Sequence, residues 1–571
     1  MEGKIVKKGI LVSVLVSFVV FQNLPLFAQK VGETEKIERE IEKEKLLRER
    51  IEKVKEKPEI EEKLPTAAPA PKALEKIVIK KINVTGVTLI SQNEIDSIIA
   101  PFENKELTLR ELQEAADLIT DAYRKQGYVT SRAYLPPQKI EKEIVEIRVI
   151  EGVTGDVEIK GNRYFKTSLL RKKIALRKDQ PFNYDILRKG LSSINEQSDR
   201  NAKAILMPGK EPGTTDVVLE VKDRLPIHLG FNYDNYGSRY IDENRFKTTL
   251  THNNLLGWDD KLTLQYQLAE AENYVLTSSR YLLPATEGLE IGLFAARSYL
   301  QLGEVYEDLE ARGKSELYSI YATQVLFEKE NMNLSLNTAF DYKDIINFQL
   351  GDESSRDRLR VARVGLDLDL TDKFGRTLIS NEFNYGIPKL MGGLEDVDTH
   401  ASRSGAGGKF TKDNLTLVRL QRMPFNSTLL WKNQIQFTPY ILTAAEQFQI
   451  GGITNVRGYP SAELVGDKGY SSTIEWSFPP YFIPRGIRVP FSKAKFYDAL
   501  RLVPFYDWAN TRLRRTQAGE EKNRTLRAVG CGLRFNLPED FSLRADFAWS
   551  LDNEPSDNQR HHAWTEVSKS F

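Results

Sequence analysis

From Arg224 to Phe571 the chain alternates apolar and polar residues with a period of two, and few folds accept that pattern at this length. "KLTLQYQL" sets Leu262, Leu264, Tyr266 and Leu268 against Thr263, Gln265 and Gln267, and "VGLDLDL" sets Val364, Leu366, Leu368 and Leu370 against Gly365, Asp367 and Asp369. In "FSLRADFAWSL" one face carries Phe541, Leu543, Ala545, Phe547, Trp549 and Leu551, and the other carries Arg544 and Asp546. A soluble antiparallel sheet alternates in the same way, so periodicity alone does not decide. The sustained length, the aromatic content and the connections rich in Asp, Gly and Asn fit a closed antiparallel barrel with lipid outside and water inside. Spans of about 9–11 residues plus turns and loops allow about fourteen to eighteen strands. A mean hydropathy of −0.43 is compatible with this, because only every second residue meets lipid.

The N-terminal segment has the form of an export signal: Lys4, Lys7 and Lys8, an apolar run from Gly9 to Phe21, and "LPLFAQ" with Ala28 at the cleavage position. Residues 1–28 are therefore expected to be removed on secretion. The apolar run is short for a membrane span, and no other approaches the roughly 20 residues a transmembrane helix needs. A membrane location then requires a barrel, since in lipid only helices and closed barrels satisfy every backbone group. Residues 29–72 divide into a helix dominated by Glu, Lys and Arg, with the i,i+4 pairs Glu44/Arg48 and Glu49/Lys53, and the Pro/Ala linker "LPTAAPAPK". That helix is either a solvated spacer or a plug that enters a polar pore.

Residues 73–152 and 153–223 each predict a small β-α-α-β-β module. In the first, "EKIVIKKINVTG" is expected to be a strand, and capping boxes pair Ser91 with Glu94 and Thr108 with Glu111 at two helix starts. The second helix carries Leu112, Ala116, Ile119 and Tyr123 on one stripe and ends at Gly127. "YVTSRAYLPP" and "EIVEIRVIEG" complete the module as strands, and the order repeats after roughly 75 residues as a tandem domain. The segments "VTGVTLISQNEI", "TLRELQEAADLITDAYRKQGYVTSRAYLPPQ" and "VEIRVIEG" resemble the first POTRA domain of the two-partner secretion transporters of TpsB type, the hemolysin and filamentous-adhesin exporters. The next module resembles their second. The resemblance implies a mainly β fold: a 16-stranded transmembrane antiparallel β-barrel over residues 224–571, preceded by two periplasmic α+β POTRA domains and an N-terminal helix. In that family the charged helix occupies the pore at rest, which makes residues 35–57 the candidate plug.

Within the barrel region, "GGITNVRGYPSAELVGDKGY" places Arg457 between Val456 and Gly458-Tyr459. A guanidinium carries five donors and stays charged, so enclosing it in a lumen demands carboxylate acceptors. Strand parity supplies two. "RLVPFYDWANTRL" turns Leu502, Tyr506 and Trp508 outward and Val503, Phe505 and Asp507 inward, and "STIEWSF" turns Ile474, Trp476 and Phe478 outward and Glu475 inward. "VRGY" is similar to the tip of the sixth extracellular loop in the superfamily of barrels that assemble or export proteins, and "FYD" is similar to the strand motif that its arginine meets. The resemblance thus implies Val456, Arg457, Gly458 and Tyr459 as a loop tip folded into the lumen, with Asp507 as salt-bridge partner, and parity offers Glu475 as a second lumen acceptor. Gly458 is expected to permit a tight backbone turn. Phe571 is expected to act as the barrel-assembly signal, although Lys569 shares its strand face.

Balanced charge, 81 Lys and Arg against 80 Asp and Glu, argues against a nucleic-acid partner. Cys531 is the only cysteine and falls by parity on the lipid face, and His561 and His562 are expected at the surface. No G-x-S-x-G, H-E-x-x-H or G-x-x-x-x-G-K-[ST] run is present, so neither an enzyme nor an ATP-driven pump is expected, and no cofactor or metal. The resemblance implies a transporter in the outer membrane of a Gram-negative bacterium. It would bind an unfolded secreted exoprotein, a TpsA-type adhesin or hemolysin, through periplasmic POTRA edges and pass it through the barrel. Outer-membrane lipid and the barrel-assembly machinery are further expected partners. The alternative is a barrel-assembly insertase of the same superfamily, for which more than two periplasmic modules would be expected.

Overall fold

A computed structural model describes residues 58–62 and 76–571, apart from 141, 271–272, 304–307, 330, 517–520, 539 and 553–554. The expected export signal, the Pro/Ala linker and most of the charged helix lie outside the described residues. The chain forms two compact units: one runs up to Pro226 and includes Leu256–Asp259, and the other comprises Ile227–Leu255 and Asp260–Phe571.

In the first unit, the helix Leu109–Lys125 starts where its capping box predicts. Thr108 Oγ1 accepts from the Glu111 amide at 3.3 Å, and Glu111 Oε2 accepts from the Thr108 amide at 2.7 Å. Ser91 caps Gln92–Ile99 through the Glu94 amide at 3.4 Å, while the Glu94 carboxylate turns to Gln126 Nε2 at 2.9 Å. Leu112, Ala116, Ile119 and Tyr123 are buried against Ile82, Val145, Ile147 and Val149, so the helical stripe packs on the sheet. That sheet pairs Lys81–Thr85 in parallel with Ile144–Ile150, which pairs antiparallel with Arg132–Tyr134. The single strand expected over Glu75–Gly86 is in fact two, Lys76–Ile79 and Lys81–Thr85. The first leaves the sheet at Lys80 and pairs antiparallel with Lys105–Thr108.

The second module follows the predicted order: Val153–Lys160, helices Thr167–Lys173 and Tyr184–Asn195, then Arg200–Pro208 and Thr214–Asp223. Asn183 Oδ1 caps the longer helix by accepting from the amides of Asp185 and Ile186 at 2.9 and 3.2 Å. One strand was not expected. Ile60–Glu62, in the stretch read as helix and linker, lies parallel to Arg200–Pro208 and joins this sheet as its outer member.

The second unit is a closed barrel of sixteen strands, each paired antiparallel with its neighbours. Closure comes from Ile227–Asp234, which pairs on one side with Arg245–His252 and on the other with His561–Ser570. Phe571 extends the seam: its amide donates to the Leu229 carbonyl at 3.0 Å, and its ring meets Phe231 edge-on at 6.4 Å. Lys569 Nζ lies 4.9 Å from the Phe571 ring centre, so the lysine covers the aromatic face it shares.

The period-two pattern explains the wall. Leu264, Tyr266, Val364, Leu366, Tyr506 and Trp549 are exposed around the outside, the apolar face that a barrel turns to lipid. Charges fill the inside and pair across strands: Arg363 bridges Asp341 at 2.9 Å and Glu382 at 2.8 Å, and Arg376 meets Asp369 at 2.6 Å. Strand lengths run from 8 residues in Ile227–Asp234 to 21 in Asp352–Asp372. The longer ones exceed the roughly 9–11 residues that cross a bilayer. Among the described residues no helix is long and apolar enough to cross a membrane.

Candidate functional site

Between the strands Ser427–Phe437 and Lys468–Ser477, residues 438–467 leave the barrel wall and fold back into the lumen. The excursion is built on a small antiparallel ladder, Phe448–Ile450 against Leu464–Gly466. Gly451 and Gly452 take φ of +108° and +84°, values that favour glycine, and bend the chain at the end of that ladder. Asn455 then fixes the turn: its Oδ1 accepts from the amides of Gly451 and Val456, both at 2.8 Å, and its Nδ2 donates to the Gln449 carbonyl at 2.9 Å.

The turn delivers Arg457 to the inner wall, where it is 1% exposed. Its Nε and Nη2 donate to the two oxygens of Asp507, each at 2.8 Å, and its Nη1 donates to Glu475 Oε1 at 2.7 Å. The Arg457 amide adds a bond to Asp507 Oδ2 at 3.2 Å. Register explains the clustering. Glu475 lies opposite Phe505 and Thr473 opposite Asp507 on adjacent strands, so Glu475, Phe505 and Asp507 share one inward patch. The guanidinium carbon sits 3.3 Å from the centre of the Phe505 ring, combining a bidentate ion pair with a cation–π contact.

Further charges complete the patch. Asp546 stands 3.6 Å from Arg457 Nη1 and accepts from Arg534 Nη1 at 2.7 Å and Arg544 Nε at 2.8 Å. Arg534 also lies 3.8 Å from Glu475. Three guanidiniums therefore face three carboxylates in the wall, the balance that makes enclosure of charge tolerable.

The other members of the predicted tip pack as closely. Val456 and Tyr459 are buried with Ile450, Leu464, Ala509, Leu526 and Ala528, and the Tyr459 hydroxyl accepts from the Asp552 amide at 3.3 Å. Gly458 lies in a turn, with φ outside the left-handed region, and glycine is required there by space. A Cβ there would stand 2.8 Å from Ala528 Cβ, Ser550 N and Trp549 C. His562 corrects an expectation. Instead of facing solvent it is partly buried, with Nδ1 3.1 Å from the Gly458 carbonyl and Nε2 2.8 Å from Asp557. His561 is exposed, as expected.

Several contributors were not singled out from sequence. Trp564 Nε1 donates to the Arg457 carbonyl at 2.8 Å, and parity with His562 and Glu566 places it inward. At the root of the loop, Glu446 bridges Lys343 at 2.6 Å and Lys412 at 2.5 Å. Asp467, in the "GDKGY" that follows the tip, accepts from Arg403 at 2.6 Å and from the amides of Leu442 and Arg514 at 2.9 and 2.7 Å. Lys343 and Glu446 are 103 residues apart, and no local pattern signals such a pair. Among the described residues no group of His, Cys, Asp or Glu comes together to hold a metal ion.

Residues 213–492 match the haemolysin secretion/activation proteins ShlB/FhaC/HecB, residues 77–152 match the ShlB-type POTRA domain, and residues 429–571 match the Omp85 superfamily domain. The chain carries the domains of the ShlB/FhaC/HecB family. Arg457 and Glu475 fall within both the ShlB/FhaC/HecB and the Omp85 matches, and Asp507 falls within the Omp85 match alone. Among curated relatives, the heme/hemopexin transporter protein HuxB of Haemophilus influenzae is 24% identical over 513 residues, spanning 86% of this chain and 87% of HuxB. The solved structure of CdiB from Escherichia coli superposes with a TM-score of 0.71 at 19% identity, covering 95% of this chain and 99% of CdiB. BamA from Haemophilus ducreyi, lacking its POTRA domains 1–3, superposes at 0.53 and 14% identity, covering 87% of this chain and 100% of that one. The ShlB/FhaC/HecB family consists of transporters, and its members work with a secreted exoprotein.

Proposed function

We infer that this chain is an outer-membrane transporter of two-partner secretion that receives an unfolded exoprotein at its periplasmic POTRA modules and exports it through the barrel to the cell surface. The observation that carries the reading is Arg457, delivered by a loop into the lumen of a closed barrel and clasped by Asp507 and Glu475 of the wall. A buried ion pair is weak evidence for extra stability but good evidence for a fixed arrangement, because removing one partner strands the other at a cost of about 3–5 kcal/mol. The clasp holds the loop in the transport-competent position. Exposed main-chain edges on the POTRA sheets accept extended segments of the exoprotein, where backbone hydrogen bonds give affinity with little demand on sequence.

The names of the relatives, a heme/hemopexin transporter and hemolysin transporters, favour a secreted exoprotein as cargo. The work is passage, with folding outside the cell as its driving force, and no catalysis or nucleotide is assigned to the chain. Residues 1–28 direct export, residues 35–57 are assigned as the resting plug, and assembly into outer-membrane lipid engages the barrel-assembly machinery through the seam that ends in Phe571. The test is charge reversal. Arg457→Asp and Asp507→Arg should each lower secretion of the cognate exoprotein at least tenfold, while a heat-modifiable barrel still accumulates in the outer membrane. Secretion at the parental level from both single variants removes the lock.

A further inference from the structure

The strand Ile60–Glu62 precedes the first POTRA module in sequence yet pairs with the second. It lies parallel to Arg200–Pro208 in the register Ile60 to Ala204, Glu61 to Ile205 and Glu62 to Leu206, and the Ala204 amide donates to the Glu59 carbonyl at 3.1 Å. Ile60 packs against the core of that module, beside a cluster that includes Ala202, Ala204 and Leu206. Glu61 approaches Lys203 Nζ at 4.0 Å. On its inner side, Arg200–Pro208 is paired over all nine residues with Thr214–Asp223, whereas the outer side has strand register at three positions only.

A sheet edge that already accepts a parallel strand has the geometry for strand addition. Three residues make few ladder bonds, and the tether supplies the remaining advantage by raising their effective concentration to the order of millimolar. An extended segment of six or more residues would pair along the whole edge and compete successfully. We propose that Ile60–Glu62 is a self-strand that occupies the outer edge of Arg200–Pro208 at rest and is exchanged for an extended segment of the exported polypeptide. The incoming strand would place an apolar, β-branched residue opposite Ala204, where Ile60 now sits, and an acidic or polar residue beside Lys203. The identity of the incoming strand rests on the export reading; the exchange itself does not.

The test uses the full-length protein in detergent on a Cys531→Ala background, with a labelled synthetic peptide of sequence KPEIEEKL, residues 57–64, as probe. Glu61→Pro removes a ladder donor and weakens the self-strand. Glu61→Cys with Ile205→Cys, opposite one another in register, locks it by a disulfide. The expected result is at least tenfold tighter peptide binding by Glu61→Pro than by the parent, and no binding by the locked protein until it is reduced. Exchange of the Ala204 amide, slow in the parent, should accelerate in Glu61→Pro and slow again when peptide is added. Equal peptide binding by all three proteins, no binding by any, or an Ala204 amide indifferent to the substitution overturns the proposal. Because the assay involves no secretion, any of those outcomes leaves the exporter reading standing, and a failed charge-reversal test leaves the strand exchange standing.

Discussion

Arg457 satisfies its guanidinium with two carboxylates on neighbouring strands and a ring beneath its plane, a site that lysine, as a point charge with a compact ammonium, would not fill. Beside it, Gly458 lets the chain run against the wall where Ala528, Trp549 and Ser550 leave no room for a side chain. Gly458→Val should therefore push the tip off the wall and strain the Arg457 clasp. The expected cost is about 1–3 kcal/mol, typical of overpacking, read as a lower midpoint of unfolding in detergent together with loss of secretion. An unchanged midpoint would mean that the loop tip repacks without resistance. Strand parity turned Asp507 and Glu475 inward, because a side chain two residues along a strand returns to the same face, while the resemblance of "FYD" named Asp507 as the partner of Arg457. It did not identify the reason for Gly458, since the clash is with residues some 70 to 90 positions away.

At the level of elements, capping boxes and an apolar stripe located the helices of the first module, and those signals are local. The split at Lys80 and the self-strand Ile60–Glu62 were hidden because both depend on pairing with segments distant in sequence. The first module also ties its helix Leu109–Lys125 to its sheet through Glu151, which accepts from Tyr123 Oη at 2.7 Å and from the Thr88 and Leu89 amides at 2.7 and 2.8 Å. Burial opposes ionisation of Glu151, but these bonds and the Thr88 hydroxyl outweigh it, and its pKa is lowered. A carboxylate depressed in the folded state contributes stability that is fully present above its unfolded pKa, about 4.3 for glutamate, and that is lost as pH falls through the folded value. Protection of the Leu89 amide, corrected for intrinsic exchange, should therefore decline as pH drops below about 4.3. Glu151→Gln should start lower and lose that pH dependence, whereas an identical profile in both proteins would assign the bonds no energetic role.

For the whole molecule, the closed wall makes one placement checkable without any partner. Cys531 is exposed on the outside of the barrel, opposite Pro504 on one neighbouring strand and Phe547 on the other. A spin label attached there should be more accessible to oxygen than to a water-soluble nickel chelate once the protein is in bilayers. The reverse ranking would place that face in water and break the barrel reading. The sequence by itself determined the alternating wall with its inward and outward faces, the helices of the first module and the inward turn of Asp507 and Glu475, because periods of two and 3.6 and helix caps are written in neighbouring residues; the match of Asp507 to Arg457 came from the resemblance of "VRGY" and "FYD". Only the tertiary structure decided how the strands close from Ile227–Asp234 to His561–Ser570, which charges anchor the root of the loop, why Gly458 has no side chain, and which sheet Ile60–Glu62 joins. Each of those depends on contacts between segments far apart in the chain, and a periodicity that says which face a residue takes is silent about which distant residue it will face.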